Sequence, residues 1–337
     1  MIRNRFTYLL RKSMYFYAHN TGMVRLPYNP LAVSIEPTNH CNLKCIMCPT
    51  GTGKVLERGL MRMDVYQKII NEVKDYAFYV ILNIGGESLI HKSFIMMIQI
   101  ARDAGLWVNF STNATLLNEE ISRQILEAHP TEIIMSFDAA SGEKGYEEIR
   151  RGASYAKTLD NIITFLKIKK SMGLVFPRVI IQTILFYEQG LNRVAPDDFK
   201  RLFSGLAVDE ISVEWAHRWA GEFSTEKDYI EPPKRDYFPC TLLWRNMAVG
   251  WDGNVFPCCF DLTRVMPLGS IIDKSLLSYW NGAEIIRMRR MLIRKLYKEI
   301  DLCSTCGNIW HNEHTYREGV KLPLKETVKK VLRKINR

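Results

Sequence analysis

From residue 31 to about residue 215 the chain alternates short β-rich runs with longer stretches of helical period. Leu31–Glu36 predicts a strand, and Asp64–Tyr76 a helix with Asp64 as its N-cap. Phe78–Ile84 reads as a strand ending at Gly85-Gly86, and His91–Ala104 as a helix closed by Gly105. The alternation continues with strands at Leu106–Ser111, Glu132–Phe137, Arg178–Leu185 and Glu210–Trp215. Between them lie helices at Asn118–Ala128, Leu159–Met172 and Pro196–Phe203. βα-type units in series imply a parallel sheet with outer helices. Eight would close a TIM barrel, so six predict an α/β fold of the open, partial (β/α)6 kind, with its chemistry on the loops after the strands.

The pattern then changes. Ser224–Pro239 is polar and holds Pro232, Pro233 and Pro239, which marks a boundary. Beyond it, Met247-Ala248-Val249 and Val255-Phe256 flank Asp252-Gly253, a strong hairpin signal. Helices are expected near Leu276–Trp280 and Ala283–Tyr297. The chain therefore divides into a basic N-terminal segment (1–30), a barrel (31–223), a smaller C-terminal domain (224–315) and a basic tail (316–337).

Composition narrows the class. Of the 337 residues, 47% are apolar and 24% charged, ordinary for a globular enzyme. No apolar run is long enough to span a bilayer, and no signal-peptide h-region opens the chain. Eight cysteines without a secretion signal point to reduced thiols serving metals in the cytoplasm. The net charge of +10 is uneven: residues 1–25 carry Arg3, Arg5, Arg11, Lys12 and Arg25 with no acid, and residues 321–337 carry +6. The body is left at −1, which argues against nucleic acid as a partner. Both tails are amphipathic. Leu324, Val328, Val331, Leu332 and Ile335 fall at helical spacing, and Phe6, Tyr8, Leu9, Leu10, Tyr15, Phe16 and Tyr17 mix with arginines. Such segments either pack their apolar stripe on the body or lie on an anionic surface, giving peripheral contact with the inner face of the membrane.

The candidate chemistry begins at Asn39-His40-Cys41-Asn42-Leu43-Lys44-Cys45-Ile46-Met47-Cys48. Three thiolates at Cys-x3-Cys-x2-Cys spacing can hold three irons of a cubane and leave the fourth open to a small molecule. A zinc knuckle lacking one ligand is the plainer alternative, although zinc ligands usually come as pairs far apart in sequence. The triplet resembles the signature of the radical S-adenosylmethionine (SAM) superfamily. That resemblance implies a [4Fe–4S] cluster at Cys41, Cys45 and Cys48, SAM on its open iron, and cleavage to a 5′-deoxyadenosyl radical.

Other segments are similar to the same superfamily. Gly85-Gly86-Glu87, about 38 residues after the triplet, looks like its Gly-Gly-Glu motif, which implies that Glu87 and nearby backbone hold the SAM amino group. Ser111 and Asn113 end the third strand, and Ser136 and Asp138 the fourth; the resemblance implies SAM contacts there. In Tyr146–Gly152 it implies an arginine near the SAM carboxylate, Arg150 or Arg151, with Arg150 preferred.

Five cysteines remain: Cys240, Cys258, Cys259, Cys303 and Cys306. Spacing alone suits a four-cysteine zinc site as well as a second cluster. Cys240, Gly253–Cys258, Leu268–Ile271, Trp280-Asn281 and Cys303-x2-Cys306 resemble the SPASM/twitch auxiliary-cluster domain, in the one-cluster form of the 2-deoxy-scyllo-inosamine dehydrogenase type. The resemblance implies an auxiliary [4Fe–4S] cluster held by Cys240, Cys258, Cys303 and Cys306, with Cys258 chosen over Cys259 because it directly follows Pro257. It covers about residues 31–310.

Two clusters in one chain imply hydrogen abstraction from an alcohol carbon followed by one-electron oxidation. The expected reaction is dehydrogenation of a carbohydrate-like or lipid-linked small molecule, with an external one-electron donor of flavodoxin or ferredoxin type. A general base is needed, and Glu214, His217 and Arg218 at the end of the last strand are the candidates. The alternative is a maturase of a ribosomally made peptide, forming a thioether, crosslink or epimer. The thirty residues before the first strand offer no room for a peptide-recognition domain.

Overall fold

The computed structural model describes residues 5–140, 142–185, 195–215 and 237–309. Its first six strands are β1 (Ala32–Ile35), β2 (Tyr79–Ile81), β3 (Trp107–Thr112), β4 (Glu132–Ser136), β5 (Arg178–Leu185) and β6 (Glu210–Trp215). They pair in sequence order and all in parallel. Helices α2 (Met63–Val73), α3 (Phe94–Asp103), α4 (Glu119–Glu127), α6 (Tyr155–Ser171) and the short α7 (Asp197–Arg201) connect them, with α5 (Gly142–Ile149) ahead of α6. This is the predicted open α/β barrel.

The C-terminal strands extend the barrel's own sheet. β7 (Asn246–Val249) pairs in parallel with β1 on the side away from β2. β8 (Asn254–Phe256) and β9 (Gly269–Ser270) follow antiparallel, so one nine-stranded sheet runs β6-β5-β4-β3-β2-β1-β7-β8-β9. The Asp252-Gly253 turn forms as expected, with Gly253 at φ +86° and Asn254 N–H donating to Asp252 Oδ1. Helices α8 (Leu276–Trp280) and α9 (Ala283–Ile293) cover this end.

Period-2 alternation divides the sheet into two unlike faces. Val33, Ile35, Val80, Val108, Phe110, Ile133, Met135, Val179, Ile181, Met247 and Val249 point one way and are buried in the core with the helices. Strand register places Ser34, Asn109, Ser111, Ser136, Gln182, Ser212 and Glu214 on the other face. Arg178 bridges Glu132 and Glu210 across β4, β5 and β6, near the strand starts.

Two local expectations are corrected. Asp64 lies in the first turn of α2, where it pairs with Arg62; Arg62 is the N-cap. The stretch from His91 does not open a helix. Ser88–Ile90 forms a 3-10 turn, His91 Nδ1 accepts from Ser93 N–H, and α3 starts at Phe94. Asn118 does cap α4 through its side chain, and Gly105 closes α3 at φ +79°.

Helix α1 (Arg5–Asn20) packs where β2 and β3 begin. Tyr8 meets Phe78 and Trp107 edge-on at 5.0 and 5.1 Å, and Arg11 donates to Tyr76 O. Tyr15, Ala18 and His19 are also buried. The helix does more than the simple packed-stripe expectation, because a second apolar stripe stays in solvent: Phe6, Leu9, Leu10, Phe16 and Tyr17, with Phe6 70% and Tyr17 65% exposed.

Candidate active site and auxiliary centre

Cys41, Cys45 and Cys48 sit on the loop after β1, at the strand end where α/β sheets gather their chemistry. Three neighbouring segments fix this loop. Lys44 N–H and Ile46 N–H donate to Arg151 O and Ile149 O, at the end of α5. Glu87 N–H donates to His40 O at 2.8 Å, which lays the Gly85-Gly86-Glu87 turn against the loop. Gly86 adopts φ +69°, and a Cβ there would come within 2.5 Å of His40 O, so this approach needs glycine. Asn113 Nδ2 reaches Cys41 Sγ at 3.9 Å and Asn42 Oδ1 at 3.0 Å.

Burial dominates the thiol electrostatics. It pushes the Cys41 thiol up to about 11, helped by the charges of Glu87 and the other two cysteines. Burial also raises Cys45, against the nearby Arg150 guanidinium. A group of thiols that resists ionisation without a cation, yet crowds together on one loop, fits a metal cluster that replaces the protons.

The structure brings Gly85, Gly86, Glu87, Asn113, Asp138 and Arg150 around this loop, but several are already engaged. Glu87 is buried, and its carboxylate accepts from Leu89 N–H, Thr112 Oγ1 and Asn113 N–H. It therefore holds the end of β3, and main-chain groups of the turn are the ones left for a ligand ammonium. Asp138 accepts from Ile184 N–H and pairs with Arg150 Nε at 2.6 Å, while Arg150 Nη1 lies 3.9 Å from Cys45 Sγ. Ser111 and Ser136 lie on the polar face, with Ser111 N–H bonded to Asn83 Oδ1. Glu214 stands one pleat beyond Ser212 and accepts its hydroxyl at 3.0 Å. His217 and Arg218 lie outside the described residues.

A cavity in the C-terminal part is lined by Cys240, Cys258, Cys303 and Cys306 among apolar side chains. Burial lifts the Cys240 thiol to about 12 and the Cys306 thiol to about 11. Cys258 is raised first by its hydrogen bond with Cys259 and then by burial. Cys258 lines the cavity wall; Cys259 is its neighbour. Among the described residues no three His, Cys, Asp or Glu side chains converge as they would around one cation. Thiols set around a cavity can hold a polynuclear cluster, whose cysteines each bind a different iron. The donor set and its apolar surroundings fit the implied auxiliary cluster.

One network that sequence reading missed joins the two centres. Glu36, at the end of β1, accepts from Gly85 N–H at 3.2 Å and Trp251 N–H at 3.2 Å. Arg264, a few residues beyond Cys258, donates to Glu36 at 2.8 Å and also pairs with Asp252. Gln182 and Ser212 on the polar face, and Asn83 after β2, which accepts from Ser111 N–H, were missed as well. The signal of Gln182 and Ser212 was available, since polar residues at every second position of a strand otherwise rich in Val and Ile mark a lined face.

The profile of the Radical SAM superfamily matches residues 35–185, and that of the SPASM iron–sulfur cluster-binding domain matches residues 240–307. An AdoMet-dependent heme synthase of Methanosarcina barkeri is 24% identical over 308 residues, 80% of this chain and 87% of that protein. The fold is similar to that of BtrN in complex with AdoMet and 2-DOIA, with TM-score 0.57 at 18% identity over 86% of this chain and 97% of that one. It is also similar to Streptococcus suis SuiB bound to precursor peptide SuiA, with TM-score 0.63 at 15% identity over 92% and 76% of the two chains. The cofactors are accordingly SAM, its [4Fe–4S] cluster and an auxiliary iron–sulfur centre. With the cysteine loop, the glycine turn and the open barrel in place, residues 35–185 carry a Radical SAM domain and residues 240–307 a SPASM iron–sulfur cluster-binding domain.

Proposed function

We propose that the protein oxidises an alcohol carbon of a carbohydrate-like small molecule to a ketone. The observation that carries this reading is the cavity lined by the four thiols of Cys240, Cys258, Cys303 and Cys306 among mostly apolar side chains. When bound, the SAM-site cluster and SAM supply the hydrogen-abstracting 5′-deoxyadenosyl radical, and the auxiliary cluster supplies a one-electron acceptor. Cys41, Cys45, Cys48, Cys240, Cys258, Cys303 and Cys306 are the proposed ligands. The Gly85–Glu87 turn, Ser111, Asn113, Ser136, Asp138 and Arg150 orient SAM, several of them through the hydrogen bonds described above. Glu214 is the proposed base at the substrate hydroxyl, with His217 and Arg218 further candidates. The external reductant is a flavodoxin- or ferredoxin-type donor. Incubating the reconstituted enzyme anaerobically with dithionite, SAM and a panel of sugars and aminocyclitols should give ketone and 5′-deoxyadenosine in equal amounts. An epimer, or 5′-deoxyadenosine with no oxidised product from any alcohol, would overturn the reading. The likeness to SuiB bound to its precursor peptide supports a second reading, modification of a peptide substrate.

The exposed stripe of α1, together with the basic residues of both tails, supports peripheral contact with an anionic membrane. Among the described residues no helix is long and apolar enough to cross a membrane. Because α1 covers the strand starts and the cysteine loop lies at the strand ends, contact through α1 would turn the SAM site away from the bilayer. That orientation favours a free small molecule over a lipid-linked substrate.

A further inference from the structure

The cavity around Cys240, Cys258, Cys303 and Cys306 has twelve lining residues, and Asn308 is the one that carries a side-chain amide. The others are the four cysteines and Leu242, Leu243, Phe260 and similar apolar groups. Both amide atoms of Asn308, Oδ1 and Nδ2, are buried and have no hydrogen-bond partner among the described residues. Buried polar groups almost always find partners, so an amide left wholly unsatisfied inside an apolar, thiol-lined cavity marks an interaction that the protein alone does not complete.

Position narrows what that partner is. Asn308 stands two residues after Cys306 in the 3-10 turn Gly307–Ile309 and lines the same cavity as that cysteine. The turn thus places a side-chain donor in the same cavity as the candidate ligand sulfurs. Whichever way round the amide lies, one of its two terminal positions is an N–H donor. An iron–sulfur cluster with four thiolates is electron-rich, and its sulfurs accept such bonds. Donors to those sulfurs stabilise the reduced state, which carries one more negative charge, and so raise the reduction potential.

We propose that the Asn308 side chain donates a hydrogen bond to a sulfur of the auxiliary cluster and holds its reduction potential up, making that centre a better electron acceptor. This rests on the assignment of the four cysteines to that cluster. Asn308 is a tuning residue. It lies outside the ligand set and is given no contact with SAM or substrate.

The test uses the full chain with Cys41, Cys45 and Cys48 replaced by alanine, so that only auxiliary iron remains. About four irons in that protein establish the ligand assignment; their absence overturns that assignment and this proposal with it. The midpoint potential of the remaining cluster is then measured by an EPR-monitored redox titration. Asn308→Leu, similar in size but without a donor, should retain the iron and titrate at a lower potential. Asn308→Ser, which keeps an O–H donor, should recover part of the difference. Asn308→Asp keeps the outline of the amide while removing the donor and adding negative charge, and should titrate lowest of all. Should the leucine variant fail to hold iron, the aspartate variant carries the measurement. A potential equal to that of the parent in Asn308→Leu, or in Asn308→Asp where leucine is not tolerated, overturns the proposal.

Discussion

Replacing Arg264 with methionine probes the link between the SAM loop and the auxiliary domain. The Arg264 side chain keeps only 14% of its surface exposed and the Glu36 side chain 6%, and they meet at 2.8 Å. Removing one partner of a buried ion pair costs ~3–5 kcal/mol, because the other charge is left uncompensated. Glu36 retains the N–H groups of Gly85 and Trp251, which puts the expected loss near the lower end, ~3 kcal/mol. For a chain of this size that corresponds to roughly 4 °C in the melting temperature. Burial already raises the Glu36 carboxyl and Arg264 opposes that rise, so the variant's pKa should climb further. A carboxyl whose folded pKa lies above its unfolded value penalises the fold at high pH, and the penalty fades as pH falls through the folded pKa. The deficit of Arg264→Met should therefore be largest near neutral pH and shrink on acidification. Adding Glu36→Gln should cost less than the sum of the single changes, by about 1–3 kcal/mol. Because Glu36 also holds Gly85, KM for SAM should rise in Arg264→Met. Anaerobic thermal unfolding followed by tryptophan fluorescence measures the first three effects. A melting temperature within a degree of the parent, together with additive changes in the double variant, would refute the argument.

Cys306→Ala should leave SAM cleavage intact but abolish formation of oxidised product; normal turnover would remove the electron-acceptor role. Glu214→Gln should lower kcat for alcohol oxidation by about 10²–10⁴-fold with KM for SAM unchanged, whereas undiminished kcat would exclude Glu214 as the base. The pair Leu9→Glu and Leu10→Glu, and separately deletion of residues 321–337, should each weaken co-sedimentation with phosphatidylglycerol vesicles while SAM cleavage persists; binding equal to the parent in both would leave α1 and the tail without a membrane role.

The parallel order of the first six strands was readable because each strand and helix carries its own period over enough residues to declare itself, and parallel strands need such crossovers. The cysteine triplet and the Gly85-Gly86 turn were readable for a different reason. Their chemistry demands fixed local spacing, and spacing is a property of sequence. What escaped was nonlocal. Nothing near Asn246–Val249 tells that this strand joins β1, more than two hundred residues earlier, in place of starting a separate sheet. Glu36 and Arg264 are 228 positions apart, so their pairing appears only when the hairpin docks. The roles of Glu87 and Arg150 were foreseen as ligand contacts, yet both carry hydrogen bonds that position neighbouring segments, which only the folded geometry reveals. Tyr8 and Tyr15 could not be told from Phe6 and Tyr17 by composition, since helix α1 is apolar on two faces and only packing chooses which one is buried.

The central claim, that one chain carries two iron–sulfur centres and performs SAM-based radical chemistry, is tested most directly by counting iron and sulfide in anaerobically purified protein and then assaying 5′-deoxyadenosine after adding dithionite and SAM. The account predicts near eight irons and eight sulfides per chain, on the order of four for each cubane, with 5′-deoxyadenosine formed and then lost when Cys41, Cys45 and Cys48 become alanine. A colourless, zinc-loaded protein, or 5′-deoxyadenosine formation that survives loss of the triplet, would contradict it.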